Sequence, residues 1–118
     1  MFKIASPDQT YRRLITVQQP QPDGGVAPLQ FTAHFLYVQN HRLNELLAAG
    51  GSDYDFLRPL LVGWEDIEHH DGTALAFSKA RLKTLCEIRY WAKAVVEEYL
   101  SFHAGEPAKN SETPPATG

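Results

Sequence analysis

The side chains that most often bind metal ions concentrate in one short stretch of the sequence. These candidate ligands are Glu65, Asp66, Glu68, His69, His70 and Asp71. Carboxylates and imidazoles ligate zinc and other divalent ions, so the enzymatic interpretation is a metal-dependent hydrolase using His69 and His70. A metal site needs such groups to converge with fixed geometry, and adjacent histidines in a turn rarely point to one centre. Because His70-Asp71-Gly72 is a turn signal, we expect a solvated polar connection and no metal site.

The other reactive side chains lack the neighbours that catalysis needs. Cys86 is the single cysteine, so the chain forms no internal disulfide and no cysteine-based zinc cluster. It follows Leu85 in a helical pattern with no base placed near it, which favours a small buried side chain over a nucleophile. His34 lies on the outward face of a predicted strand. His41 lies in the first turn of a predicted helix, where a cation is slightly unfavourable. We therefore expect no enzyme and no cofactor.

A small basic cluster, Lys79, Arg81 and Lys83, would suit a helix-turn-helix motif. The helix after the turn, however, contains Tyr90-Trp91-Ala92 followed by two glutamates, whereas a recognition helix presents polar side chains that read bases. Eleven basic against fourteen acidic residues give a net charge of −3 and a pI near 5.9. Such a chain lacks general attraction to phosphates, so we expect no nucleic-acid partner.

Length and composition are those of one globular domain. The chain has 118 residues, of which 43% are hydrophobic and 21% are charged, which excludes a wholly disordered or fibrous protein. It contains no apolar run near the roughly 18–20 residues that span a bilayer. The N-terminus lacks the apolar stretch of a secretory signal, so we expect a cytoplasmic protein without a membrane partner.

The first third of the chain carries the alternation that is typical of β-strands. From Leu29 to Tyr37, apolar side chains occupy every second position and should face one way. The preceding segment alternates less regularly, with Ile15 and Val17 on its expected inner face. A turn-forming stretch, Gln19 to Gly25, separates the two. The pattern predicts a β-hairpin with a long loop, which must pack on other elements because two strands alone are marginal in water.

Helical periodicity replaces alternation in the rest of the chain. A first helix is predicted from its N-cap Asn40 to the terminating pair Gly50-Gly51. A third helix should begin at its N-cap Ser78 and turn Leu82 and Leu85 inward. With a second helix and a long last helix, these segments form a bundle of about four helices. We expect an α+β fold in which the N-terminal hairpin packs on this bundle.

The second predicted helix has the clearest start signal. Ser52 and Asp55 have the spacing of a capping box. The apolar residues that this helix would turn inward are Phe56, Leu57, Leu60 and Leu61. Pro59 lies inside the segment and removes one backbone donor, so we expect a kink or two short turns there, and Gly63-Trp64 should end the helix.

The last predicted helix, Arg89–His103, is apolar over a wide part of its circumference. At roughly 100° per residue, its apolar side chains spread over about 180°, whereas packing on one core needs nearer 100°. Either the helix is central and contacts other elements on two sides, or part of the arc binds a partner or a second copy. On the second interpretation, the candidate partner-binding residues are Trp91, Val95, Val96, Tyr99 and Leu100.

A polar segment follows this helix. From Gly105 to Gly118 there is no large apolar residue, and three prolines stand among serine, threonine and glutamate. Such a composition cannot form a core. We therefore predict a single domain over residues 1–104 and a flexible, disordered tail over residues 105–118.

The order of these segments resembles a known family, the tail assembly chaperones of long-tailed bacteriophages and prophages. The resemblance covers nearly the whole chain. Its most specific parts are Val62-Gly63-Trp64, the spacing from Asp71-Gly72 to Phe77-Ser78, and Lys109-Asn110 in the tail. The sequence departs from the family pattern at Pro59, where a helix former is more usual.

The resemblance implies a binding protein that is not an enzyme. Members of this family bind the long, hydrophobic tape measure protein in the host bacterial cytoplasm and keep it soluble until the tail tube protein polymerises around it. They are absent from the finished virion, and a longer product often arises by ribosomal frameshifting near the end of the gene. The alternative, from a different class, is a structural head–tail completion or adaptor protein of a prophage, which would stay in the virion.

The frameshifting prediction can be tested on the gene. Ala108-Lys109-Asn110 can be encoded as GCA-AAA-AAC, which contains the slippery heptamer A-AAA-AAC. An extension would attach through a proline-rich linker beyond the domain, where it should leave the fold intact. We expect this heptamer and an open −1 frame beyond Asn110. Sequencing the gene decides the matter: an AAG codon for Lys109, or a −1 frame that stops at once, excludes frameshifting here and leaves only a polar tail.

Overall fold

Residues 1–108, which the computed structural model describes, combine a three-stranded antiparallel sheet with four helices. In chain order the elements are β1 (Thr10–Pro20), β2 (Val26–Leu36), α1 (Asn40–Ala48), α2 (Asp53–Leu57), β3 (Leu61–Glu65), α3 (Lys79–Cys86) and α4 (Arg89–His103). The strand order is β1–β2–β3, so β2 is central and β1 is an edge strand. The predicted α+β class is confirmed, and the sheet has one strand more than the predicted hairpin.

β1 and β2 form the predicted hairpin, with an uninterrupted register from Thr10 opposite Leu36 to Pro20 opposite Val26. The connection spans residues 21–25 and is shorter than predicted, because β1 extends into the turn-forming stretch as far as Pro20 and β2 begins directly after it, at Val26. The buried inner-face residues are Ile15, Val17, Phe31, Ala33 and Phe35, which confirms the predicted alternation.

The predicted starts of the helices are confirmed to within one residue. Ser78 caps α3, since its hydroxyl accepts from the Arg81 N–H at 3.0 Å. In α1, Asn40 is already the first helical residue, and Gln39 takes the N-cap position without a side-chain hydrogen bond. The capping box of α2 is present, because Ser52 and Asp55 exchange side-chain to backbone hydrogen bonds.

The second predicted helix is wrong beyond Leu57. α2 ends there, Leu60 lies in the turn that follows, and Leu61 begins β3. Gly63-Trp64, predicted to end a helix, lies inside this third strand. β3 pairs with β2 over Thr32–Phe35, with an irregularity in the register next to Phe35.

Pro59 supplies the physical reason for this difference. It has no N–H and its ring obstructs a preceding turn of helix, so helix α2 stops before it. A short apolar run suits a buried strand as well as a buried helix, and periodicity does not distinguish the two. Gly63 permits close pairing with β2, since a Cβ there would lie 2.9 Å from Nδ1 of His34.

α4 covers the inner face of the sheet and contacts β1, α2 and α3. Val95 and Tyr99 are fully buried in these contacts. The Tyr99 ring meets the Phe35 ring edge-on, with centroids 4.9 Å apart, and the Tyr99 hydroxyl donates to the Leu36 carbonyl at 2.8 Å. The wide apolar arc therefore belongs to a central helix with neighbours on several sides.

A buried ion pair ties the end of α4 to β1. The Arg13 and Glu98 side chains are 10% and 5% exposed, and their nearest nitrogen and oxygen lie 2.6 Å apart. Arg13 also donates to the Glu106 carbonyl at 2.7 Å, while the Ser101 hydroxyl donates to the Glu106 carboxylate at 2.8 Å. Hydrogen bonds to the domain thus extend past the predicted boundary at residue 104 to Glu106. Lys109-Asn110 and the remainder of the predicted tail lie outside the described residues.

Removing one partner of this ion pair should destabilise the domain strongly. We expect Arg13→Ala to lower the free energy of unfolding by about 3 kcal/mol, because Glu98 would stay buried without a counter-charge. The matched control is Arg12→Ala, since the side chain of Arg12 is 70% exposed in its pair with Glu65 and should contribute far less. Urea denaturation measures both. If the two variants lose the same free energy of unfolding, the buried pair does not stabilise the domain as described.

Candidate partner-binding surface

The predicted polar connection folds into a tight turn. The His69 N–H donates to the Thr73 carbonyl at 2.8 Å, and the Gly72 N–H donates to the His69 carbonyl at 2.9 Å. Asp71 accepts from the N–H and the hydroxyl of Thr73, and these bonds lower its pKa below the ordinary value. His69 and His70 are exposed. Within residues 1–108, no three His, Cys, Asp or Glu side chains come together in a way that could hold a metal ion.

Glu65 is not part of this turn. It is the last residue of β3, and its side chain lies on the outer face of the sheet. It accepts two hydrogen bonds from Arg12, each at 3.0 Å, and its Oε2 lies 2.5 Å from Nε2 of His34. The hydrogen bonds with Arg12, and to a smaller extent the one with His34, hold the pKa of Glu65 below its ordinary value. His34 lies on the outward face, as predicted. These side chains bridge β1, β2 and β3, so they cross-link the sheet.

The other candidate groups are engaged in packing or in backbone hydrogen bonds. Cys86 is half-buried, and burial raises the pKa of its thiol to about 12, so the thiol is protonated at neutral pH. Lys79 donates to one backbone carbonyl at the end of α2 and to another at the start of β3. Arg81 donates to the Ala76 carbonyl at 3.0 Å. Two of the three basic side chains thus hold backbone segments in place.

The five predicted partner-binding residues of α4 divide into two groups. Trp91, Val95 and Tyr99 are at most 6% exposed and belong to the core of the domain. Val96 and Leu100 are partly buried and pack against that core from its margin. Partner binding by these residues stays a prediction. Of the three buried residues, Trp91 also lines a surface groove.

This groove, termed the distal groove, has a volume of about 250 Å³ and lies between the distal half of the hairpin and the junction of α3 and α4. Its apolar lining includes Leu29, Phe31, Ile67, Ile88, Tyr90 and Trp91. Its polar lining includes Gln30, Asp66 and Glu68. The groove is therefore an apolar depression with an acidic side.

The path of the chain after β3 creates the distal groove. Asp66 has a φ of 70°, a left-handed conformation that aspartate tolerates better than most residues, and β3 ends immediately before it. β3 therefore pairs with only part of β2, and Leu29 lies beyond the paired segment with 49% of its surface exposed. Trp91 stacks on Phe31 with centroids 5.6 Å apart and forms the floor.

A smaller groove of about 180 Å³ lies where α1, α2 and α4 meet. Its lining includes Leu46, Leu47, Phe56 and Val96. Leu47 is 50% exposed, nearly the same fraction as Leu29 in the distal groove. The two leucines therefore form a matched pair for testing which groove binds a partner.

Sequence reasoning included Trp91 among the partner-binding residues but missed Leu29, Ile67 and Ile88. Leu29 belongs to the alternating inner row of its strand, and nothing in that row indicates that the helices stop short of it. Ile67 is an isolated apolar residue in a polar stretch, and Ile88 directly precedes α4. Such isolated apolar residues beside turns are the signal that could have identified the groove.

In comparisons with known proteins, no family model, no curated protein and no solved structure matches this chain. The resemblance to tail assembly chaperones therefore stays a prediction from the sequence. Over residues 1–108, the structure contains no helix with both the length and the apolar character that crossing a bilayer requires.

Two neighbouring valines test the contribution of α4 to the core. Val95→Asp places an unpaired charge at a fully buried site, which costs several kcal/mol and should unfold a domain of this size. Val96→Asp lies at the partly buried margin and should stay folded with a lower melting temperature. Thermal melts followed by circular dichroism measure both. Should Val95→Asp melt like the parent chain, α4 does not pack as described.

Proposed function

We propose that this chain is a tail assembly chaperone that binds the tape measure protein in the host bacterial cytoplasm while the tail tube protein assembles around it. The order of segments that resembles this family supports the proposal from the sequence. The distal groove carries it on the structural side, because a protein that binds an apolar client needs apolar surface beyond its own core.

The chemistry of the distal groove suits one face of an amphipathic helix. Tyr90 is partly exposed and offers aromatic surface, a side-chain type that contributes strongly to binding at interfaces, above the buried Trp91. Leu29 at the rim is half-exposed and would be covered by such a helix. Asp66 and Glu68 on one side would favour a client helix whose apolar stripe is flanked by lysine or arginine.

The size of the distal groove indicates weak individual contacts. A volume of about 250 Å³ accommodates only a few side chains of a client helix. A long client would therefore be held by many copies, whose combined binding exceeds that of any single contact. The net charge of −3 would keep such an assembly in solution while the remaining apolar surface of the client is covered.

Co-expression with a tape measure protein from the same genome tests the proposal. We expect this chain to raise the soluble yield of the client and to co-purify with it. Leu29→Asp should lose at least tenfold in retained client, because it places a charge at the rim of the apolar distal groove. The control is Leu47→Asp, which has the same exposure in the smaller groove and should retain the client.

Other outcomes contradict the proposal in distinguishable ways. A client that is equally soluble alone and does not co-purify removes the chaperone function. Loss of the client in Leu47→Asp but not in Leu29→Asp keeps the function and moves the binding site to the smaller groove. Mass spectrometry of purified virions provides a separate test, since a chaperone is absent from virions and a head–tail adaptor is present.

A further inference from the structure

Residues 1–5, termed the arm, are largely apolar and yet almost fully exposed. Phe2 and Ile4 have 87% and 83% of their surface accessible to solvent, more than any other large apolar residue of residues 1–108 except Met1. Lys3 lies between them and is the one charged side chain of the arm. The arm belongs to no helix or strand. Apolar side chains that are this exposed and this close together mark a surface that contacts another molecule.

The arm and the distal groove lie towards opposite ends of the hairpin formed by β1 and β2. The arm shares a surface depression with Tyr11 and Tyr37, beside the start of β1. Leu29, at the rim of the distal groove, pairs with Val17 near the other end of that strand. A rise of about 3.3 Å per residue places Val17 roughly 23 Å from Thr10, the first residue of β1.

The arm is too short to fill the distal groove of its own chain. Ile4 precedes Thr10 by six residues, a stretch that reaches about 20 Å when fully extended. A turn between Ser6 and Gln9, closed by a backbone hydrogen bond of 3.1 Å, shortens this reach further. Since Leu29 lies farther away than that, an arm seated in this groove comes from a second molecule.

The distal groove is complementary to the arm in apolar surface and in charge. Side chains alternate in direction along an extended segment, so Phe2 and Ile4 point one way and Lys3 points the other. With the two apolar side chains over the apolar floor, Lys3 is left at the mouth of the groove, where Asp66 and Glu68 are exposed. No ion pair within residues 1–108 involves either carboxylate, so both are available to a lysine of another molecule.

The smaller groove between α1, α2 and α4 suits the arm less well. Its volume is about 180 Å³, against about 250 Å³ for the distal groove. Its carboxylates, Asp53 and Asp55, lie in the first turn of α2, where negative charge stabilises the helix. Asp55 also accepts from the Ser52 N–H at 3.1 Å. The distal groove therefore matches the arm better.

We propose that the arm of one molecule binds in the distal groove of a second copy of this chain. Phe2 and Ile4 pack on the apolar lining beside Leu29, and Lys3 pairs with Glu68 at the mouth of the groove. The contact joins two different surfaces, so each copy has one arm to donate and one groove to receive an arm. This inference requires the groove but no client, so it goes beyond the proposed function.

A charge exchange between the arm and the groove tests this pairing. The parent chain should self-associate as its concentration rises, and Lys3→Glu or Glu68→Lys alone should weaken the association about tenfold, because like charges then meet. A chain with both changes should regain the association of the parent. The control is Lys93→Glu, which changes the net charge as Lys3→Glu does, at a side chain of α4 that is 70% exposed. Sedimentation equilibrium measures the association, and circular dichroism checks that each variant is folded.

The two half-exposed leucines show which groove receives the arm. Leu29→Asp should abolish self-association, whereas Leu47→Asp, in the smaller groove, should associate like the parent chain. A synthetic peptide of residues 1–8 should compete with the arm and dissociate the parent chain. The same peptide with Phe2→Ser should not, because it lacks the largest apolar side chain of the arm.

Three results overturn the proposal. The first is a parent chain that stays monomeric, and the second is a doubly substituted chain that does not regain the association. The third is a loss of association in Leu47→Asp but not in Leu29→Asp, because the arm then binds the smaller groove.

Retention of the client separates this inference from the chaperone proposal. Lys3→Glu leaves the lining of the distal groove unchanged, so it should still retain the tape measure protein. Loss of the client in this variant would assign the arm to the client and overturn the inference. A monomeric parent chain that retains the client overturns the inference alone and leaves the chaperone proposal in place.

Discussion

The packing of α4 on the inner face of the sheet is the contact on which the rest of the domain depends. Three strands expose one apolar face, and α4, with 15 residues, is the longest helix of residues 1–108. Tyr99 joins the helix to β2 twice, through its ring against Phe35 and its hydroxyl on the Leu36 carbonyl. The Arg13–Glu98 ion pair then fixes α4 over β1, because a buried charge must stay within reach of its counter-charge.

The position of α4 over an edge strand also determines which surfaces remain open. At the outer edge of β1, a groove of about 370 Å³ lies between Thr16 and Gln18 of the strand and Lys93 of α4. On the opposite side β3 covers only part of β2, and the turn at Asp66 leads the chain away and leaves the distal groove. The two grooves are neighbours, because Tyr90 lines both of them.

Local patterns in the sequence determined much of the secondary structure. The alternation from Leu29 to Tyr37 predicted β2, and Ser52 with Asp55 and Ser78 marked two helix starts, because strand pleating and capping depend on nearby residues. The wide apolar arc of the last helix was also evident. It predicted an unusual role for α4 without deciding between core packing and partner binding.

Tertiary structure decided what local patterns left open. Leu61–Glu65 became a strand because β2 offered an edge to pair with and Pro59 ended the helix, and the same apolar run had suited either structure. Leu29 stayed exposed and Trp91 became the floor of a groove because the helices cover only part of the sheet. Which side chains are left at the surface depends on where distant segments meet, and spacing along the chain does not contain that information.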